Sequence, residues 1–459
     1  MHEKRSVLVA ILLSAAFVSI LNQTLLLIAM PPIMEDFKID ANLAQWLTTV
    51  YLLTNGILIP ITAFLIGRFS NRLLLLVALT LFSVGTLLGA FAPSFTVLLV
   101  ARVIQASGAG VIMPLMQTIL LTMYPKENRG SIMGLAGLVT GFAPAVGPTL
   151  SGWILAHLTW RHLFFTVLPV SVIVLTLATI FMKNVTTKKE GQLDGLSIVF
   201  SSLGWGGLLY GFSIAGAVGF QSMQVLLPIV VGGIMLVLFI CRQLQLPIPM
   251  LEFRVFQSTI FSVTTFLSSL VYALMVGTQI LLTFYIQNVR QLSALETGLV
   301  LLIGALVMGF MSPVTGKIFD KVGGKGLALV GFTSILLGSS ILIGLSMNTK
   351  LWVLAVLFTM ISFGISMIMM PLTTAGMNAL PTHLMAHATA MNSTLRMVGG
   401  ALVTALLVTI MSTVTANQQQ MGVADAMLNG IRSAFIATTI LSFIGLLLSL
   451  YLRKEPNVS

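Results

Sequence analysis

Two arginines, Arg102 and Arg396, stand inside long apolar stretches that otherwise carry no charge. A guanidinium at the middle of a bilayer costs about 2.5–3.5 kcal/mol on insertion scales, so each needs compensation. Gln105 follows Arg102 by one helical turn and Asn392 precedes Arg396 by one turn, which puts an amide on the same helix face in both cases. Asn22 and Gln23 offer further amides to Arg102 from across a bundle. Two roles stay open for each arginine: structural hydrogen bonding to amides and helix carbonyls, or orientation and coupling of a bound molecule.

Other chemistries find little support. The single cysteine, Cys241, excludes an internal disulfide and any cysteine metal cluster. His383 and His387 have the i, i+4 spacing of a metal pair, but a wet helix end is the simpler reading and no metal is expected. No Gly-x-x-x-x-Gly-Lys-Ser/Thr loop cradles nucleotide phosphates, and no nucleophile stands beside a base. The chain therefore reads as neither an enzyme nor a cofactor carrier.

The elements that must hold these residues follow from composition. Hydrophobic residues make up 57% and charged residues only 8%, with a mean hydropathy of +1.05, whereas soluble domains carry about 25% charged residues. Apolar runs of about 20 residues, each long enough to cross a bilayer, recur about fourteen times. Because lipid leaves bare backbone unsatisfied, they are expected to be helices, giving an all-α polytopic membrane protein. The formal charge of +11 could suggest nucleic acid, but the lysines and arginines concentrate in short loops on one side. Arg68, Arg72, Lys126, Arg129, Lys317, Lys321 and Lys325 lie on the side of both termini, while Lys38, Arg161, Arg290, Lys350 and Arg432 fall opposite. That bias sets topology, with both termini cytoplasmic and no nucleic-acid partner.

There is also an internal repeat. Writing "AFLIGRFSNR" above "GKIFDKVGGK" aligns Arg68 with Lys321 and Arg72 with Lys325. The expected organisation is a six-helix bundle over residues 1–185, a cytoplasmic linker and two extra membrane helices over 186–255, and a second six-helix bundle over 256–459. In the second loop Gly316, Gly323, Gly324 and Gly326 favour a tight reversal, and Asp320 can receive a helix N-terminus or an arginine.

That second loop resembles the G-x-x-x-D-[RK]-x-G-x-[RK] motif of the major facilitator superfamily, through Gly316, Asp320 and Lys321. "ARVIQASGAG" resembles its fourth-span arginine motif. "GFAPAVGPTLSG", with Gly141, Pro144, Gly147 and Pro148, is similar to its antiporter-associated fifth-span motif. "WRHLFF" and "LDGLSIVFSSLG" resemble the surroundings of the sixth span in fourteen-span drug exporters of the EmrB/QacA type, and "LNQTLLLIAMPPIMEDF" is most similar to their lincomycin-efflux branch. The resemblance implies the major facilitator fold. Its departures are specific: in the first-half loop the aspartate position is Gly67, and the first span has Asn22 where many relatives carry aspartate.

The resemblance implies a secondary active exporter of hydrophobic or amphipathic drug-like compounds, lincosamides among them, working by alternating access and proton antiport in the plasma membrane as a monomer. An exporter of a native lipid, metabolite or signalling nucleotide is the alternative. No acidic residue falls deep in an apolar run, so proton coupling would rest on Glu296 or Asp320 at span ends, or on a proton carried by the substrate. Coupling and gating are expected at Arg102, Gln105, Gly141, Pro144, Gly147, Pro148, Gly316, Asp320, Lys321 and Arg396. A substrate chamber is expected from Asn22, Gln23, Asn55, Met113, Gln117, Phe142, Tyr272, Gln279 and Asn392. Pro144 and Pro148 remove backbone donors and favour a bend, and small residues from Gly137 to Gly152 form a groove for close helix packing.

Overall fold

The computed structural model describes residues 2–184, 194–418, 420 and 422–452. Most of the expected cytoplasmic linker, with Lys188, Lys189 and Glu190, lies outside them, as do Lys454, Glu455 and the side chain of Ala145. The helices are α1 (His2–Ile28), α2 (Met30–Phe37), α3 (Ala41–Arg68), α4 (Asn71–Ala90), α5 (Phe95–Met123), α6 (Arg129–His157), α7 (Arg161–Phe181), α8 (Gly195–Val218), α9 (Met223–Gln245), α10 (Thr259–Phe284), α11 (Ala294–Val322), α12 (Gly324–Leu342), α13 (Leu351–Asn378), α14 (Met385–Asn417) and α15 (Val423–Leu450). Fourteen of them are long and apolar enough to span a bilayer; the exception is α2.

Local sequence explains where they start. Asp40, Ser70, Ser94 and Ser258 each accept a hydrogen bond from a backbone N–H in the first turn of the helix that follows. Ser293 and Glu296 form a reciprocal capping box at the head of α11. Pro31 and Pro32 occupy the first turn of α2, where a missing N–H costs nothing, and so mark the end of α1. Asp36 on α2 accepts hydrogen bonds from Arg161 at 2.7 Å and the Trp160 indole at 3.1 Å, which pins α2 over the head of α7.

α1 and α3 to α7 form one bundle and α10 to α15 the other; they meet where α6 runs along α11 and where α3 and α5 approach α14. The extra helices are central in sequence but peripheral in space. α8 packs in the cleft between α3 and α14, and α9 packs on the outside of α8, its Leu227, Ile234 and Val237 more than half exposed, as lipid-facing residues would be. Leu209 of α8 fills the gap: a Cβ on Gly56 of α3 would lie 2.0 Å from it, and 3.3 Å from Met397 of α14.

The seam between α6 and α11 depends on missing side chains. A Cβ on Gly316 would stand 2.2 Å from the Gly130 carbonyl oxygen, one on Gly134 would stand 2.6 Å from that of Ser312, and one on Gly141 would stand 3.1 Å from the Gly309 nitrogen. This corrects the expected turn. α11 continues as a helix to Val322, so Gly316 serves close helix approach rather than reversal, and Gly323, at φ 77°, alone makes the corner before α12. Within this loop only Gly323 needs left-handed backbone.

Candidate functional site

The interior of the first bundle is organised around Tyr51 of α3 and Arg102 of α5. Arg102 is 1% exposed, and its guanidinium carbon lies 4.0 Å from the centre of the Tyr51 ring. Nη1 donates to Gln105 Oε1 at 2.7 Å and Nε donates to the Leu47 carbonyl at 3.4 Å. Gln105 Nε2 then donates to Thr86 Oγ1 of α4 at 2.8 Å, and Thr86 donates to the Phe82 carbonyl at 2.7 Å. The Tyr51 hydroxyl donates to the Ser19 carbonyl of α1 at 3.4 Å and lies beside Asn22 and Asn55. An aromatic face, an amide oxygen and a carbonyl thus hold the buried guanidinium. Gly85 and Gly108 let α4 come close enough to do so: a Cβ on Gly85 would sit 2.5 Å from the Gln105 nitrogen, and one on Gly108 would sit 2.2 Å from the Ala78 carbonyl oxygen.

In the second bundle, Arg396 of α14 is 7% exposed, with its guanidinium carbon 5.2 Å from the centre of the Tyr272 ring of α10. Its Nε is buried without a hydrogen-bond partner among the described residues. One turn earlier, Asn392 accepts from Ser268 at 3.2 Å and donates to Thr373 of α13 at 3.5 Å. Among the described residues, further polar atoms are buried without a hydrogen-bond partner: Asn22 Nδ2, Asn55 Oδ1, and both Oε1 and Nε2 of Gln117.

A third group joins the two bundles at the end where α1 begins and α15 ends. The Asp320 carboxylate accepts hydrogen bonds from the backbone N–H of Gly130 at 2.7 Å and of Ser131 at 2.8 Å, and from the Ser131 hydroxyl. It caps the N-terminus of α6, where orphan N–H groups and the helix dipole favour an anion. Beside it Lys126 donates to the Asn378 carbonyl at 2.8 Å and Arg129 donates to Asn378 Oδ1 at 3.1 Å. Deeper in, Thr118 of α5 and Thr389 of α14 share a hydrogen bond of 2.8 Å. Asp320 joins bundle to bundle through the helix N-terminus; no arginine takes that place.

The remaining expected site residues are scattered. Gln23 and Gln279 are half-buried, Lys321 is exposed and Met113 packs against the apolar core. Phe142 lies in the α6–α11 seam, its ring 6.4 Å from that of Phe310. Gly141 lines the same seam, whereas Gly147 faces Thr24 of α1. Pro144 and Pro148 lie inside an unbroken α6. Glu296 is occupied by its capping box. His387 Nδ1 accepts from the Glu252 backbone N–H at 3.3 Å, and no metal-holding cluster occurs among the described residues. Tyr51, Thr86, Ser131 and Asn378 were not anticipated; only Tyr51 left a signal, an aromatic one turn before Asn55 inside a span.

The profile of the Major Facilitator Superfamily matches residues 12–404. The chain belongs to that superfamily. Among its relatives, the MFS-type transporter YcnB of Bacillus subtilis is 56% identical over 453 residues, covering 99% of this chain and 96% of that protein. The lincomycin resistance protein LmrB of Listeria monocytogenes is 40% identical over 454 residues, covering 97% and 96%. The solved human organic anion transporter MFSD10 shares the superfamily fold with a TM-score of 0.68 at 15% identity, covering 96% of this chain and 99% of that one. Membership in the superfamily makes this a multi-pass membrane transporter.

Proposed function

We propose that this chain is a secondary active drug exporter of the plasma membrane, with both termini cytoplasmic, that acts as a monomer. It moves hydrophobic or amphipathic compounds, lincosamides among them, outward in exchange for protons. Residues 1–185 and 256–459 rock as two units, and 186–255 supply the linker and the extra helices. Similarity to LmrB supports the drug class.

One observation carries the mechanism. The direct side-chain hydrogen bonds between the two bundles, at Asp320, Lys126, Arg129 and the Thr118–Thr389 pair, all lie toward the terminus-bearing face. Among the described residues none joins the bundles at the opposite face. Bundles tied by hydrogen bonds toward the termini and not on the other side fit the outward-facing half of an alternating-access cycle. Arg102 and its network fix the relation of α1, α3, α4 and α5, so that the first bundle moves as a body.

Inside-out vesicles loaded with the protein should accumulate lincomycin when a proton gradient is imposed, and Arg102→Ala should reduce that uptake. Uptake that survives collapse of both proton and voltage gradients would refute the antiport assignment. Cells that retain as much drug as empty-vector controls would refute export itself.

A further inference from the structure

The ion pairs among the described residues, Arg161–Asp36, Arg242–Asp194 and Arg254–Glu252, all sit at helix ends or in connections. The charges deep in the spans have no such partner, and they are not alike. Arg102 is enclosed: a ring at 4.0 Å, an amide oxygen and a carbonyl take up its face and edge. Among the described residues Arg396 has only a ring at 5.2 Å, and its Nε has no hydrogen-bond partner. A cation–π contact is worth about 2 kcal/mol when desolvated, against a burial penalty of several kcal/mol for an ion. One positive charge inside the second bundle is therefore left over.

Its position shows what could use it. Thr389, Asn392, Arg396 and Gly400 recur at i, i+3, i+7 and i+11, one face of α14. Thr389 touches Thr118 of α5, Asn392 touches Ser268 of α10 and Thr373 of α13, and a Cβ on Gly400 would stand 2.9 Å from the Tyr272 ring. That face packs against α5, α10 and α13, where both bundles meet. Gln117, the neighbour of Thr118, keeps both amide atoms buried and without a hydrogen-bond partner among the described residues. Thr389 and Arg396 are about 10 Å apart along the axis, the length of a small amphipathic molecule.

We propose that Arg396, stacked on Tyr272, binds the anionic group of an amphipathic monoanion, a carboxylate or sulfonate, while Gln117 takes up its neutral polar end. One uncompensated guanidinium matches one negative charge; a dianion would leave the second charge unpaired in a low-dielectric space. The site rests on the export reading only in lying on the transport path.

The test is equilibrium dialysis of the full-length protein in zwitterionic-lipid nanodiscs, with empty nanodiscs as background, against three probes that share one fluorophore: dansylglycine (anion), dansylamide (neutral) and dansylcadaverine (cation). The protein should bind dansylglycine about ten-fold more tightly than dansylamide, with dansylcadaverine weakest. Arg396→Gln should weaken dansylglycine about ten-fold and leave dansylamide within about two-fold, and Arg396→Lys should keep part of the anion preference. Equal binding of the three probes by the parent, or an equal loss of all three in Arg396→Gln, overturns the proposal. If Arg396→Gln does not fold, the parent ranking and Arg396→Lys decide it. Failure of cells to export lincomycin, with the probe ranking intact, would refute the export reading and leave the anion site standing.

Discussion

Replacing Asp320 with asparagine should open the terminus-bearing face. The carboxylate accepts two backbone N–H bonds, at 2.7 and 2.8 Å, and one from the Ser131 hydroxyl. A hydrogen bond to a charged acceptor is worth about 1 kcal/mol more than a neutral one, and an anion at a helix N-terminus adds about 0.3–1 kcal/mol. Asparagine keeps one acceptor oxygen but turns an NH₂ toward a donor. Sealing should weaken by about 2 kcal/mol, a shift of about thirty-fold toward the open state. The readout is the reaction rate of a buried seam residue. With the exposed Cys241 changed to serine, Ser312→Cys, at a position 3% exposed against α6, should react with an impermeant maleimide about thirty-fold faster in Asp320→Asn, in vesicles that present the terminus-bearing face. An unchanged rate would mean that the carboxylate does not hold the bundles together, and the gating scheme would fail with it.

Gly316→Ala places a methyl 2.2 Å from the Gly130 carbonyl oxygen, so it should push α6 and α11 apart and abolish transport; Gly152→Ala, with nothing within 4 Å, should leave transport unchanged, and a vesicle uptake assay separates them. Leu209→Ala empties the gap between α3 and α14 and should lower thermal stability by about 2–4 kcal/mol, read from melting in detergent. Asp194, bonded to Arg242 at 2.5 and 2.8 Å, has its carboxyl pulled down to about 2 by that guanidinium. A lowered value means that the pair stabilises the folded state above the ordinary carboxylate range near 3.8 and loses this as pH falls toward 2. Because the pair is only half-buried and reached by solvent, Asp194→Asn should cost no more than about 1 kcal/mol at neutral pH, and less in high salt.

Helix content, the number of spans and the need of Arg102 for an amide could all be read from apolar run length and from a charge out of place. Gln105 was legible because a helix fixes the i, i+3 neighbour. Tyr51, Thr86 and Asn378 were not, because they come from other helices and only the packing of bundles brings them in. Gly316 misled for a related reason: a glycine beside a polar loop suggests a turn, and only the nearness of Gly130 shows that it answers to another helix. Gly67 shows the converse. Its lack of a carboxylate was plain in the sequence, and a Cβ there would meet nothing within 4 Å. The Asp320 clamp therefore has no counterpart at the matching position of the first loop.

The wedge formed by α8 makes the two flanks of the transporter mechanically unequal. On one flank α6 and α11 meet backbone to backbone and are tied by the Asp320 clamp at one end; on the other a leucine is seated between α3 and α14 and resists shear. The rocking proposed above, if it keeps this leucine in its socket, would turn about an off-centre fulcrum and, once the Asp320 clamp lets go, would carry the glycine-lined flank farther.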